Sequence, residues 1–263
     1  MNSSIRPVRG LLIDLDGTVY EGSAVVPGVV EAIERLRAAG MPFLFTTNTS
    51  RKSRADVVSD LKRMGLPVSA EEILTAPVAA AAWLRSRGIG TVQLLVADST
   101  HEDFEGILVS DRHPEAVLIG DLGPGFTFER LNSAFRSLRA GAELVAIHRN
   151  RFWLPDSGPT LDAGPFVAAL EYATGRSAVV MGKPAEAFFH SGADILGISA
   201  GQLLMIGDDI RGDVNGAQKA GLKGALVKTG KFRPQDLDTG QSPDAVLASI
   251  ADLPRWWEAQ VVA

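Results

Sequence analysis

The sequence predicts an α/β protein built on a doubly wound parallel sheet. Two observations carry this. Short aliphatic runs of strand length alternate with amphipathic helical segments, an order that pairs strands in parallel through right-handed crossovers. Several of the runs also end directly in chemistry-bearing residues, and open α/β sheets bind ligands outside the carboxyl ends of their strands. The first such run, Gly10-Leu11-Leu12-Ile13, passes straight into Asp14-Leu15-Asp16-Gly17-Thr18.

That segment admits two other readings. Asp16-Gly17 is a hairpin turn signal. Asp-x-Asp-Gly also resembles part of a calcium loop, which needs Gly at position six and Glu at position twelve. Counted from Asp14 the Gly stands at four and Val25 at twelve, which excludes the calcium loop. The hairpin is set aside because the chain leads on into a helix. Pro27-Gly28 opens that helix, with Val29, Val30, Ile33 and Leu36 on one face, closed by Gly40. A strand over 42–46 then runs into Thr47-Asn48-Thr49-Ser50, and a helix carries Val57, Val58, Leu61 and Met64 on one face.

The α/β rhythm continues. An Ala-rich helix spans 79–86, and strands are expected over 91–97, 116–120 and 144–147. Between the last two, Leu131, Ala134, Phe135 and Leu138 mark a helix face. An irregular stretch comes next, from His148-Arg149-Asn150-Arg151-Phe152-Trp153 through Asp156, leading to the helix of 166–174. A strand over 178–181 ends in Gly182-Lys183-Pro184. Another over 203–206 ends in Gly207-Asp208-Asp209. A helix over 212–220 and a last clear strand over 225–227 complete the pattern.

Composition narrows the function. The chain has 263 residues, 46% hydrophobic and 22% charged, enough for two domains with a sizeable core. A net charge of −5 offers no basic footprint for nucleic acid. The absence of cysteine excludes a disulfide framework, thiol catalysis and sulfur-held zinc. The start of the chain has no secretory h-region, and the most apolar stretch, 76–84, is too short for a membrane span, so a cytoplasmic protein with no membrane partner is expected. Two sequons, at Asn2 and Asn48, are treated as chance matches. His113, His190, Trp256 and Trp257 are expected to be surface or packing residues.

Four run ends therefore carry chemistry: Asp14 with Asp16, Thr47 with Asn48, Lys183, and Asp208 with Asp209 and Asp213. In one parallel sheet they would share one edge. Acids suit a hard divalent cation such as magnesium, which favours carboxylate oxygens. A hydroxyl, an amide and an ammonium suit phosphoryl oxygens. The set asks for a phosphate group and a metal ion.

These segments, in this order, resemble the four motifs of the haloacid dehalogenase superfamily. The second acid, Asp16, resembles the phosphatase and mutase branches. The hundred residues between the second and third motifs resemble that family's large inserted cap of the NagD type. Phe166-Val167-Ala168-Ala169-Leu170-Glu171-Tyr172-Ala173-Thr174, Met205-Ile206-Gly207-Asp208-Asp209 and Lys228-Thr229-Gly230-Lys231-Phe232-Arg233-Pro234 are similar to its phospholysine phosphohistidine inorganic pyrophosphate phosphatase subgroup. Some members of that subgroup carry Ser where this chain has Asp16.

The resemblance implies a Rossmann-like core over 1–77 and 181–263 and an inserted α/β cap over 78–180. It implies Asp14 as nucleophile and Asp16 as general acid and base. Thr47, Asn48 and Lys183 would bind the phosphoryl group. Magnesium would be held by the Asp14 and Asp208 carboxylates and the Asp16 carbonyl. Asp213 would orient Lys183 or a metal-bound water, and Asp209 would be either a supporting ligand or a helix N-cap. Cap contacts to substrate are expected from His148, Asn150 and Asp162. The implied activity is magnesium-dependent hydrolysis of a small phosphate ester. Phosphomutase, phosphorus–nitrogen or pyrophosphate hydrolysis and non-catalytic phosphate binding stay open, as does a homodimer through the cap.

Overall fold

A computed structural model describes residues 8–153, 158–238, 240 and 242–262. Asp156 and its neighbours in 154–157 lie outside the described residues, as does the side chain of Trp153. The chain divides into two compact units. The first comprises Met1–Thr47, Val57–Leu74 and Lys183–Ala263, and the second Asn48–Asp56 and Thr75–Gly182. The expected boundaries, 77/78 and 180/181, differ by two or three residues, and Asn48–Asp56 was expected in the core. Hydrogen bonds explain that segment's membership: Ser99 donates to the Arg51 carbonyl at 2.7 Å, and Arg54 N–H donates to the Asp103 carboxylate at 3.1 Å.

In chain order, β1 (Gly10–Asp14) is buried at all five positions. A small antiparallel hairpin comes next, β2 (Tyr20–Glu21) and β3 (Ala24–Val25). The sequence pattern runs from Gly17 directly to a helix and does not show this hairpin, whose two-residue strands are too short to have a period. Helix α1 (Val29–Ala38) buries Val29, Ala32, Ile33 and Leu36. Then come β4 (Phe43–Thr47), α2 (Arg54–Arg63) and β5 (Ile73–Thr75).

The second unit holds α3 (Ala76–Ser86), β6 (Thr91–Leu95), β7 (Leu108–Val109), β8 (Ala116–Ile119), α4 (Phe128–Arg139) and β9 (Glu143–Ala146). A hairpin of β10 (Phe152–Trp153) and β11 (Thr160–Leu161) precedes α5 (Ala163–Thr174) and β12 (Val179–Val180). The first unit resumes with α6 (Glu186–Leu196), β13 (Leu203–Gly207), α7 (Gly216–Lys219), β14 (Lys223–Val227), β15 (Ala245–Leu247) and α8 (Leu253–Val262). Among the described residues, no helix is long and apolar enough to cross a membrane.

The first unit's sheet runs β15-β14-β13-β1-β4-β5, with the pairs from β15 to β4 parallel. Leu11 and Ile13 join the cluster of α1 residues Val29, Ile33 and Leu36. Leu12 points to the other face, where its side chain meets Gly192 of α6. Helices on both faces make the sheet doubly wound, as the alternation of runs and helices predicts. Fully burying each of Leu11, Leu12 and Ile13 is worth about 1.5–3 kcal/mol. Trp256 and Trp257 pack partly buried against the same core. The second unit's sheet, β12-β9-β8-β6-β7, is parallel throughout and packs Val117, Ile119 and Val145 fully buried.

Three expectations change. The strand before Lys183 belongs to the second unit's sheet, so Lys183 is not delivered by a strand end of the first. The helix expected over 212–220 is a π-helical turn, Ile210–Asn215, running into the short α7. A further three-residue edge strand, β15, lies beyond the last one expected.

Candidate active site

The local sequence fixes Asp14 in place. Leu11, Leu12 and Ile13 are fully buried and point to alternate faces, so a one-residue slip would turn each to the wrong side. Ile13 lies opposite Ile206 of β13 and Phe45 of β4, which puts Asp14, Thr47 and Gly207 at the carboxyl ends of three adjacent strands. Asp208 comes directly after Gly207.

Around Asp14 the side chains form a chain of charge. Asp14 is 7% exposed. One of its oxygens accepts from Lys183 Nζ in a close ion pair, and the other accepts from Thr18 Oγ1 at 3.4 Å. Lys183 Nζ also pairs with Asp213 Oδ1 at 2.7 Å. Asp213 Oδ2 accepts from the Asp209 N–H at 3.2 Å. Asp208 Oδ2 accepts from the Lys231 N–H at 2.6 Å, whereas Asp208 Oδ1 is buried with no hydrogen-bond partner among the described residues. Oxygens of Asp14, Asp208 and Asp213 all lie within 4.8 Å of one another.

Two buried carboxylates thus share one buried ammonium while a third, Asp208, lies within 4.8 Å of both, and the ionisation equilibria register the imbalance. Burial pushes Asp14 above the usual carboxylate range, against the pull of Lys183, and the Asp208 charge adds to the rise. Burial pushes Asp213 up to about 7, again against Lys183, with the Asp14 charge adding. Asp208 is raised by burial although the Lys231 N–H opposes it. For Lys183 burial acts downward, and the Asp14 and Asp213 charges outweigh it, so its pKa is raised. Tyr20, in the hairpin after β1, is pushed up to about 12 by burial and by the charges of Asp16 and Asp14.

Two glycines make room for this packing. Gly17 has φ +86° and Gly230 φ +58°, backbone shapes that favour glycine. A Cβ at either would collide with the Asp208 carboxylate. The loop around Gly230 is further fixed by its N–H, which donates to Glu21 Oε1 at 2.8 Å.

The donor set fits a hard divalent cation. Buried carboxylate oxygens converge, their number exceeds that of their counter-charge, and one of them, Asp208 Oδ1, lacks a partner. Asp208, through its unpartnered Oδ1, is the residue best disposed to hold the ion, and Asp14 and Asp213, each also paired with Lys183, have oxygens within 4.8 Å of it.

The first unit gathers Asp14, Lys183, Asp208 and Asp213. Asp16 is exposed, with its backbone held by the neighbouring Gly17 N–H donating to the Tyr20 carbonyl at 2.7 Å. Thr47 closes β4 half-buried, and Asn48, next in the chain, belongs to the second unit. Asp209 is an N-cap, its Oδ1 accepting from the Arg211 and Gly212 N–H groups at 2.9 Å each. It thereby starts the π-helical turn that carries Asp213 back toward Lys183. In the second unit His148 and Asp162 are 3% and 6% exposed. His148 Nε2 lies 2.8 Å from Ser50 Oγ and 3.7 Å from Asp162 Oδ1, and Asp162 caps α5 through the Ala163 N–H at 2.7 Å. Asn150 is exposed. His113 and His190 are both exposed, and a His190 ring nitrogen lies 3.1 Å from the Ala220 carbonyl.

Sequence reasoning missed Thr18, the two glycines and the Lys231 N–H. Thr18 and Gly17 stand in the first motif. Gly230 and Lys231 stand in a segment that drew notice only for its subgroup likeness.

Comparison with known proteins agrees with this geometry. Residues 11–108 match the family described as haloacid dehalogenase-like hydrolase, and residues 180–253 match a second, HAD-hydrolase-like family. The chain is 44% identical over 233 residues to haloacid dehalogenase-like hydrolase domain-containing protein 2 of Bos taurus, covering 89% of each. It is 42% identical over 235 residues to phospholysine phosphohistidine inorganic pyrophosphate phosphatase of Bos taurus, covering 87% of this chain and 86% of that one. The crystal structure of 4-nitrophenylphosphatase from Thermotoga maritima superimposes with a TM-score of 0.84 at 30% identity, over 94% of this chain and 97% of that one. With strand-end acids set around a buried lysine and likeness along nearly its whole length, the chain belongs to the haloacid dehalogenase-like hydrolases.

Proposed function

We propose that this protein is a magnesium-dependent phosphatase that hydrolyses a small phosphorylated metabolite through an aspartyl-phosphate on Asp14. The observation that carries the reading is the cluster of three buried carboxylates, two of them paired with Lys183 and the third, Asp208, with one oxygen unpartnered. The names of the relatives, two of which are phosphatases, support it.

An Asp14 oxygen attacks phosphorus as the bond to the leaving oxygen breaks. Lys183, already paired with Asp14, neutralises charge on both nucleophile and phosphoryl group. Thr47 and Asn48 donate to phosphoryl oxygens. Asp16, exposed two residues after the nucleophile, gives its proton to the leaving oxygen. It then takes a proton from the water that attacks phosphorus, which breaks the bond to Asp14, releases phosphate and restores both carboxyl groups. Asp14, Asp208 and the Asp16 carbonyl would hold a magnesium ion, which when bound would supply the charge neutralisation that lets an anionic carboxylate approach an anionic phosphate. Hydrolysis of a phosphorus–nitrogen bond or of pyrophosphate uses the same residues, and the name of one relative favours including both in a substrate panel.

The test is release of 4-nitrophenol from 4-nitrophenyl phosphate, with magnesium and with a chelator. Turnover is expected only with the metal. Asp14→Asn should lower it by about a thousandfold or more while leaving the circular dichroism spectrum unchanged. Undiminished turnover in that variant would refute the mechanism.

A further inference from the structure

The segment Lys228-Thr229-Gly230-Lys231-Phe232-Arg233-Pro234 contributes one backbone N–H to the site, yet it is held far more firmly than that requires. Gly230 N–H is bound by Glu21 and Lys231 N–H by Asp208. The Arg233 guanidinium folds back onto the loop's own carbonyls, at 2.7 Å from Phe232 O and 3.1 Å from Lys231 O. Arg233 N–H is in turn bound by Asp236 Oδ2 at 2.6 Å. A loop fixed at four points holds its side chains in a set direction.

The side chain that projects from it is a cation. The Lys231 side chain is 66% exposed, and its Nζ stands 3.8 Å from Asp209 Oδ2, beside the acidic cluster. Two cations act on the Asp14 carboxyl, Lys183 and Lys231. Lys183 is buried and committed to Asp14 and Asp213. Lys231 is exposed, stands beside Asp209, and its charge acts on Asp14 and Asp208. An anion seated on Asp14 therefore has one positive group beneath it and a second at the rim.

We propose that Lys231 is a specificity-determining residue that binds a second anionic group of the substrate, one not undergoing transfer, so that the site prefers phosphorylated compounds bearing a further phosphate or carboxylate. This rests on the phosphatase reading above. A fixed charge at the rim discriminates because a charge-assisted contact to an anion is worth more than the water it displaces, whereas an uncharged leaving group gains nothing from it.

The experiment compares wild type, Lys231→Ala and Lys231→Arg on three substrates: 4-nitrophenyl phosphate, inorganic pyrophosphate and 2-phosphoglycolate. Lys231→Ala is expected to raise KM for the second and third about tenfold more than for the first, with kcat shifted by a common factor. Lys231→Arg should recover most of that difference. Selectivity lost for pyrophosphate alone identifies the second group as phosphate, and lost for 2-phosphoglycolate alone, as carboxylate; either supports the proposal. An equal change in KM across all three overturns it and assigns Lys231 only to the support of Asp208. Equilibrium binding of inorganic pyrophosphate and inorganic phosphate, in an Asp14→Asn background with and without Lys231→Ala, reads the same contact without turnover. If wild type hydrolyses none of the three yet Lys231→Ala weakens pyrophosphate binding about tenfold more than phosphate binding, the phosphatase reading falls and the rim contact stands. Equal weakening, or no binding, overturns the rim contact.

Discussion

The two units are built from the same parts and treat charge in opposite ways. Each has a parallel sheet flanked by helices, and in each the segments after the strands carry buried acids. In the second unit those acids are satisfied. Asp121, just after β8, takes a close ion pair from Arg51 and the Gly123 N–H at 3.0 Å. Asp162 caps a helix, and His148 meets Ser50. In the first unit Asp14, Asp208 and Asp213 converge, only Asp14 and Asp213 pair with Lys183, and one Asp208 oxygen has no partner among the described residues. Chemistry belongs where the fold leaves charge unbalanced, because a substrate or cation can supply the balance that the protein withholds.

Removing the central cation tests that contrast most severely. Lys183→Met leaves Asp14 and Asp213 buried without their counter-charge, which should destabilise the first unit by about 3–5 kcal/mol at neutral pH. The loss should be smaller at pH 6 than at pH 8, since without Lys183, which lowers it, the Asp213 carboxyl rises above the about 7 it has in wild type and its protonation removes one of the stranded charges. Arg51→Met, the corresponding change in the second unit, should cost about 1 kcal/mol or less, because the Arg51 side chain is 45% exposed and Asp121 keeps a backbone donor. Urea unfolding midpoints at pH 6 and 8 measure both. Equal losses would erase the distinction between the units.

Adding charge from outside is the gentler test. A cation bound to the folded chain alone stabilises it by mass action, about 2.7 kcal/mol at a hundred times its dissociation constant. Magnesium should therefore raise the melting temperature of wild type by several degrees and that of Asp208→Asn by much less. An equal rise in both would remove Asp208 from the ion's ligands.

Legibility in the sequence splits along the same divide. Asp14 and Asp208 were readable because a carboxylate closing a buried aliphatic run has no structural excuse. Lys183 stands beside Asp14, but the strand-end reading of it is partly wrong: β12 is two residues long and pairs in the other sheet, and no local pattern says which sheet a two-residue strand joins. The roles of Gly17 and Gly230 depend on an approach between segments about two hundred residues apart, which no window of sequence contains, and the Lys231 N–H reaches Asp208 from a loop 23 residues on. Asp162 caps α5, which begins at Ala163, three residues before the start the sequence pattern gives, so its capping role is not legible from that pattern.

Asp103 is the exception that sharpens the comparison, with the smallest effect expected. It lies in the second unit, yet the group that donates to its carboxylate is the Arg54 N–H rather than a cationic side chain, and burial pushes its carboxyl up to about 6 from 3.8, against that N–H. The folded chain therefore holds a proton there that the unfolded chain releases between about pH 4 and 6. A carboxyl raised on folding adds its stability fully at pH values below the unfolded pKa and loses it as pH rises through the folded one. Asp103→Asn keeps an oxygen for the Arg54 N–H and cannot ionise, so wild type should fall in stability relative to the variant from about pH 4 to about 6.5, and the gap should be level above about 7. Asp103 is partly open to solvent, so the change should be a small drift in urea midpoint, far below that of Lys183→Met. A gap that stays constant from about pH 4 to 7 would mean that the Asp103 charge is solvated, and would remove the one unbalanced acid from the second unit's side of the contrast.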